Sequence, residues 1–445
     1  MLSVATRHSA AADRALSHLI GECCTPFGDI PGADLAPLLD RIGESRVVLI
    51  GEASHGTSEF YRMRARITRE LITRAGFGIV AAEADWPDAA RLDRYARYRA
   101  PGPRDEAPAF TRFPTWMWRN EETATFIEWL RARNAGLAPG ERTGFYGLDL
   151  YSMFTSIAAV LRYLDGTDPE AARIARARYG CLMAWEPDAA LYGRAAVSGR
   201  FHTCEEPALA MLQDLLRRRL EDAARDGDLL FDAVQNARVV ADAESYYRAM
   251  YYGSVQSWNL RDSHMFETLE QILAHRGPEA RAVVWAHNSH VGDAAATQMG
   301  AQGEYNIGQL CRDAFGDAVF IIGFGTDHGT VAAASEWNGR MERMAVRPAL
   351  PESYEALCHA SGIRAFQLPL RHAHRDVLPQ ELADPRLERA IGVIYRPDTE
   401  RQSHYFEAVL PGQFDEYVWF DETAAVEPLV TSVTAGMPET WPYGL

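Results

Sequence analysis

The stretch Val47-Val48-Leu49-Ile50-Gly51-Glu52-Ala53-Ser54-His55-Gly56 decides how this chain is read. Four apolar residues between polar flanks, stopped by a glycine, suit a short strand buried on both faces of a parallel sheet. A carboxylate and an imidazole follow, three positions apart, and a second glycine precedes a long amphipathic segment. In open α/β sheets functional groups gather just beyond the carboxyl ends of the strands, which is where Glu52 and His55 stand. The plainer alternative is a capped turn in which the histidine only satisfies a backbone carbonyl.

The same pattern recurs outward from this point. Residues 57–75 place Phe60, Met63, Ile67, Leu71 and Ile72 on one helical face. Phe77-Gly78-Ile79-Val80-Ala81-Ala82-Glu83 then reads as a second buried strand ending in a carboxylate. A helix over 87–98 follows, and a third strand, Thr143–Asp149, again ends in an acid after a helix over 121–134. Ala282-Val283-Val284-Trp285-Ala286-His287-Asn288-Ser289-His290 repeats the opening theme, a buried strand followed by imidazoles. Further strands are expected at 318–324, 329–334, 364–368 and 391–396, with Val418-Trp419-Phe420 completing the sheet and its cover. Helical spacing predicts helices over 5–24 and 35–43 and dominates between about 152 and 275. These signals predict an α/β protein with a central, mostly parallel sheet flanked by helices. The expected segments are an N-terminal helical piece (1–45), a first part of the core (46–150), a helical subdomain (151–280) and a second part of the core (281–445).

Composition narrows the function classes. A chain of 445 residues, 47% apolar and 24% charged, describes an ordinary globular protein able to bury a large core. Its formal net charge of −16 argues against nucleic-acid binding and against an anionic membrane surface. Arg7, His8, Asp13 and Arg14 break up the N-terminus, so no secretory signal is expected, and no apolar run reaches the length of a membrane span. Six scattered cysteines without a CxxC pair fit a reduced, cytoplasmic protein better than a disulfide framework.

Five ionisable groups at three strand ends (Glu52, His55, Glu83, His287 and His290) converge if the strands share one sheet edge. Two chemistries use such a set. E-x-x-H and H-x-x-H supply oxygen and nitrogen metal ligands in local pairs, although neither is the HExxH of a zinc helix. Alternatively a neutral histidine takes a proton from water while a carboxylate fixes its tautomer, and a second histidine or an arginine holds the oxyanion. No G-x-S-x-G elbow is present, which disfavours a serine nucleophile. The insert at 101–120 sets Trp116, Trp118, Arg119 and Asn120 in a loop, where large side chains call for a surface or a substrate to cover. Asn259, Arg261 and Asp262 follow a run of tyrosines, and a buried Arg and Asp need partners. With Tyr146 these seven residues are the substrate-binding candidates.

Five stretches together resemble the erythromycin esterases and their relatives: GEASHGTSEFYRMR (51–64), AAEADWP (81–87), RFPTWMWRNEE (112–122), NLRDSHM (259–265) and WAHNSHV (285–291). The resemblance spans roughly residues 40–400 and implies a metal-independent esterase, without cofactor, that opens a macrolide-like lactone of a bulky natural product by water attack. It implies His55 as the base, Glu52 and Glu83 as the carboxylates that orient it or hold water, Arg64 as the active-site arginine, and His287 and His290 as a second imidazole cluster. It also implies a helical portion lining a deep cleft. A lyase or transferase using the same base, or a metal- or haem-binding protein of the same fold, are the alternatives. The expected partner is a small-molecule substrate, and the oligomeric state is open.

Overall fold

In a computed structural model, residues 9–99, 109–199, 202–222, 227–371 and 377–429 are described. The first residues of the 5–24 helix, the 101–108 part of the insert and the charges at 7 and 8 fall outside that set. The chain divides into two compact units, one formed by Met1–Gly78, Phe110–Leu130 and Arg281–Leu445, the other by Ile79–Ala109 and Arg131–Ala280.

In the first unit the opening stretch is the strand Val47–Ile50, and all four of its residues are buried. It runs parallel to Ala282–Trp285 on one edge and to Val319–Ala333 on the other, a central place in a parallel sheet whose two faces are both covered, which is why its residues are apolar throughout. Outward from Val319–Ala333 come Glu416–Thr423 (parallel), then Ala365–Pro369 and the edge pair Thr25–Pro26 (both antiparallel). The second unit contributes Ile79–Asp85 paired in parallel with Gly144–Asp149, followed by a run of helices from Met153–Thr167 to Ser254–Arg276. The protein is thus α/β with a mostly parallel sheet. Its helical region has a core of its own, in which Ile157, Leu164, Tyr179, Tyr192, Val234 and Val240 are buried.

Three expectations are corrected. The strands at 318–324 and 329–334 are one strand, Val319–Ala333, whose far half forms a hairpin with Glu342–Val346. The run 391–396 is not a strand; its alternating apolar residues make only isolated bridges, Ser54 to Ile391 and Ala334 to Ile394. The pairing lies just before it, where Arg386–Arg389 joins Tyr405–Ala408 in a separate two-stranded sheet. Finally, Cys181 and Cys204 are joined in a disulfide, Cα atoms 6.1 Å apart, because helix packing brings together cysteines 23 positions apart in sequence. No helix among the described residues is long and apolar enough to cross a membrane.

The turn after Val47–Ile50 is pinned on both sides. His55 N–H donates to Ile391 O (3.0 Å), Ile391 N–H donates to Ala53 O (2.9 Å), and Gly56 O accepts from Ala332 and Val426. Gly56 has φ +76°, a backbone region that favours glycine. Gly51 is required for space: a Cβ there would stand 2.1 Å from Asn288 Oδ1. Gly51→Ala is therefore expected to destabilise the protein by about 1–3 kcal/mol through overpacking. Chemical denaturation checks this, and unchanged stability would mean that Asn288 does not sit against Gly51.

Candidate active site

Parallel pairing of Val47–Ile50 with Ala282–Trp285 brings two strand ends together. His55 and His287, 232 positions apart in sequence, meet with ring centroids 4.9 Å apart. Glu52 is wholly buried and divides its carboxylate between two partners. Oε1 lies 2.7 Å from His55 Nδ1, and Oε2 lies 3.2 Å from Arg64 Nη1. Arg64 comes from the helix Ser58–Arg74, which begins directly after the turn and delivers the side chain back to it.

Arg64 is as deeply buried as Glu52, and its contact with the carboxylate is an ion pair by distance, not an aligned hydrogen bond. Aromatic faces supply the remaining surroundings. The guanidinium carbon stands 4.5 Å from the Tyr61 ring centroid, 4.8 Å from that of Trp285 and 5.6 Å from that of Trp118. Dry aromatic faces attract a cation strongly, and a flat, weakly hydrated guanidinium suits such a box better than an ammonium. The box also shifts its own members: burial pushes the Tyr61 hydroxyl well above its usual range, and the negative charge of Glu52 adds to this.

One pair of imidazole tautomers satisfies these hydrogen bonds. A proton on His55 Nδ1 directed at Glu52 leaves Nε2 as the basic nitrogen. His287 caps the short helix Asn288–Val291, its Nδ1 accepting from Ser289 N–H at 3.2 Å. A neutral ring that accepts at Nδ1 carries its proton on Nε2 and is a donor there. In that pair the His55 ring offers a lone pair and the His287 ring an N–H. His290 is buried one turn along, its amide bonded to His287 O.

The remaining candidates divide. Trp118 belongs to the arginine box, whereas Trp116 packs in an apolar cluster with Tyr61, Ala332, Ala425 and Val426. Asn120 caps the following helix, bonding Trp116 O, Met117 O and Thr123 N–H, and Arg119 is buried with its carbonyl accepting from Leu429 N–H. In the second unit Glu83 and Arg261 are brought together. Arg261 Nη2 lies 2.7 Å from both Glu83 Oε1 and Asp149 Oδ2, and its Nε bonds Asp149 Oδ1. On the same helix as Arg261, Asn259 is half-buried and Asp262 fully buried. Tyr146 lies instead beside Trp86 and Arg97, lining a cavity of about 40 Å³ with His275 and Asp228. Residues missed by sequence reasoning are Tyr61 and Trp285 of the box, and Asp149. Each had a signal: Tyr61 stands three residues before Arg64, Trp285 two before His287, and Asp149 ends a strand. The described residues contain no group of three or more His, Cys, Asp or Glu arranged around a metal position.

Comparison with known proteins agrees with the motifs. The family model described as erythromycin esterase matches residues 72–423. The chain belongs to the erythromycin esterase family. It is 25% identical over 318 residues to erythromycin esterase type II of Escherichia coli, covering 67% of this chain and 73% of that protein. The crystal structure of a succinoglycan biosynthesis protein superposes with a TM-score of 0.77 at 20% identity, covering 95% of this chain and all (100%) of that one. A histidine-to-asparagine mutant of the erythromycin esterase EreC, in its open conformation, gives 0.61 at 16% identity over 89% of this chain and 96% of that one. These structural likenesses establish a shared fold. Family membership supports a hydrolase of the esterase type.

Removing one member of a buried ion pair leaves the other charge uncompensated. Arg64→Met is expected to cost about 3–5 kcal/mol of stability. Arg64→Lys, which keeps the charge but not the flat stacking surface, should fall between the two. Urea denaturation of the three proteins checks the order, and a Met variant as stable as the parent would show that Glu52 does not depend on Arg64.

Proposed function

We propose that this protein hydrolyses an ester or lactone of a bulky, largely apolar natural product, with His55 as the general base that activates water. The Glu52–His55 hydrogen bond of 2.7 Å at a strand end carries this reading, because it orients the imidazole and compensates the imidazolium formed during reaction.

In the proposed reaction His55 Nε2 takes a proton from water as the water oxygen attacks the carbonyl carbon. The carbonyl π pair moves to oxygen, and the Nε2–H of His287 donates to that oxyanion. On collapse the carbon–oxygen bond of the ester breaks, and the departing alkoxide takes the proton held by His55. Arg64 takes no proton; it balances the charge of Glu52, so that the buried dyad carries no uncompensated charge in its resting state. No step is assigned to Glu83. A macrolide-like substrate is proposed from the erythromycin esterase relatives.

General-base assistance is worth roughly 10²–10⁴-fold. His55→Asn is expected to lower turnover by at least that range while circular dichroism shows the fold retained. Incubation with a panel of macrolides and simple lactones in ¹⁸O-labelled water, followed by mass analysis, tests the reaction class. Hydrolysis places one labelled oxygen in the released carboxylic acid. A product lacking that label would identify elimination or transfer by the same base, and full activity in a folded Asn variant would remove His55 from the base role.

A further inference from the structure

The side chain of Glu388 lies in neither of the groups described above, yet it is wholly buried behind the imidazole turn. Its Oε1 accepts from Asn288 Nδ2 at 3.3 Å, and its Oε2 accepts from Gln413 Nε2. Both partners hold the 287–292 turn. Asn288 N–H donates to Glu52 O at 2.8 Å, and its side-chain amide clasps the Val319–Ala333 strand through Phe324 O (2.8 Å) and Phe324 N–H (3.3 Å). Gln413 packs against Gly292, where a Cβ would meet its Cγ at 2.6 Å, and its carbonyl accepts from Asp293 N–H. Three residues after Glu388, the backbone of Ile391 bonds both Ala53 and His55. One short segment therefore grips the His55 turn with its backbone and the His287 turn with a side chain.

We propose that Glu388 is a positioning residue that sets His287 against His55 by holding Asn288 and Gln413. The proposal rests on the hydrolytic reading of that pair and deepens it. Asn288 occupies the space where a side chain on Gly51 would stand, so a shift of Asn288 displaces the Glu52 turn and the His287 turn together. Burial, with the nearby charge of Glu355 adding to it, pushes the Glu388 carboxyl up to about 8, against the opposing effect of its two amide donors. The other charged or titratable groups near it are Arg386 and Arg389 on its own strand, Tyr354 beside Glu355, and Tyr417. The folded-state value lies above the ordinary carboxylate value, so Glu388 favours folding at low pH. That contribution fades as pH rises from about 4.5 toward 8. Ionisation above that range places a second negative charge against Glu355 in a dry site, a repulsion that the two amide donors only partly offset and that strains the clasp.

Glutamine is the conservative replacement. Asn288 must keep donating because Phe324 fixes its orientation, whereas no such pair fixes the Gln413 amide, which can turn its oxygen toward a new amide at 388. The test compares the parent enzyme with Glu388→Gln and Glu388→Leu, using p-nitrophenyl butyrate as probe and the ring ¹⁵N shifts of His55 and His287 as a second readout. Outer partners of metal-ligating residues cost about 10–100-fold in activity when lost, and on that scale Glu388→Leu is expected to lower kcat about tenfold or more, with KM within about threefold and altered ring shifts. Glu388→Gln is expected to keep kcat within about threefold at neutral pH and to remain active above pH 8, where the parent declines. Parental kcat and ring shifts in Glu388→Leu would overturn the proposal, as would a Gln variant as impaired as the Leu variant. Should the Leu variant not fold, a decline above pH 8 in Glu388→Gln equal to the parent's would overturn it. The ring shifts report the arrangement whether or not any ester is cleaved, so failure of the hydrolase reading and failure of this inference are told apart.

Discussion

The arrangement of the candidate site depends on one buried carboxylate with two partners. Glu52 has no access to solvent, and an isolated charge there would be costly. The imidazole of His55 on one oxygen and the guanidinium of Arg64 on the other offset that cost. The same division of labour orients the histidine, because the oxygen facing Nδ1 selects the tautomer whose lone pair is on Nε2. The bond that compensates the carboxylate is also the one that orients the ring. Arg64 in turn needs a desolvated home, which Tyr61, Trp118 and Trp285 provide from three separate elements.

Around this pair the sheet acts as a fixture. A four-residue strand held in parallel on both sides has little freedom to slide, since a one-residue slip breaks the hydrogen-bond register on both edges. The turn that follows inherits that rigidity through backbone bonds to Ile391, Ala332 and Val426. Groups placed on strand ends of this kind hold their geometry better than groups on free loops.

Much of this was legible in the residues themselves. The buried strands showed as nearly uncharged runs, and their ends showed as abrupt changes to Glu, His and Gly. The segment at 391–396 misled because isolated bridges and a true ladder call for the same apolar alternation; only the pairing partner distinguishes them. The same holds for Trp116 and Trp118. They are two residues apart in one loop, yet one packs in an apolar cluster and the other faces a cation.

What the sequence determined by itself was local: which runs are buried, where they stop, and which chemical groups stand at those stops. Glu52 and His55 belong to that class, because three residues of spacing already place them within reach. The meeting of His55 with His287, the aromatic box around Arg64, the Cys181–Cys204 disulfide and the clasp of Glu388 on Asn288 were decided only by the tertiary structure. Each joins residues from elements distant in the chain. Their distances follow from strand order and register, which arise from the packing of the whole sheet and leave no periodic trace in any one segment.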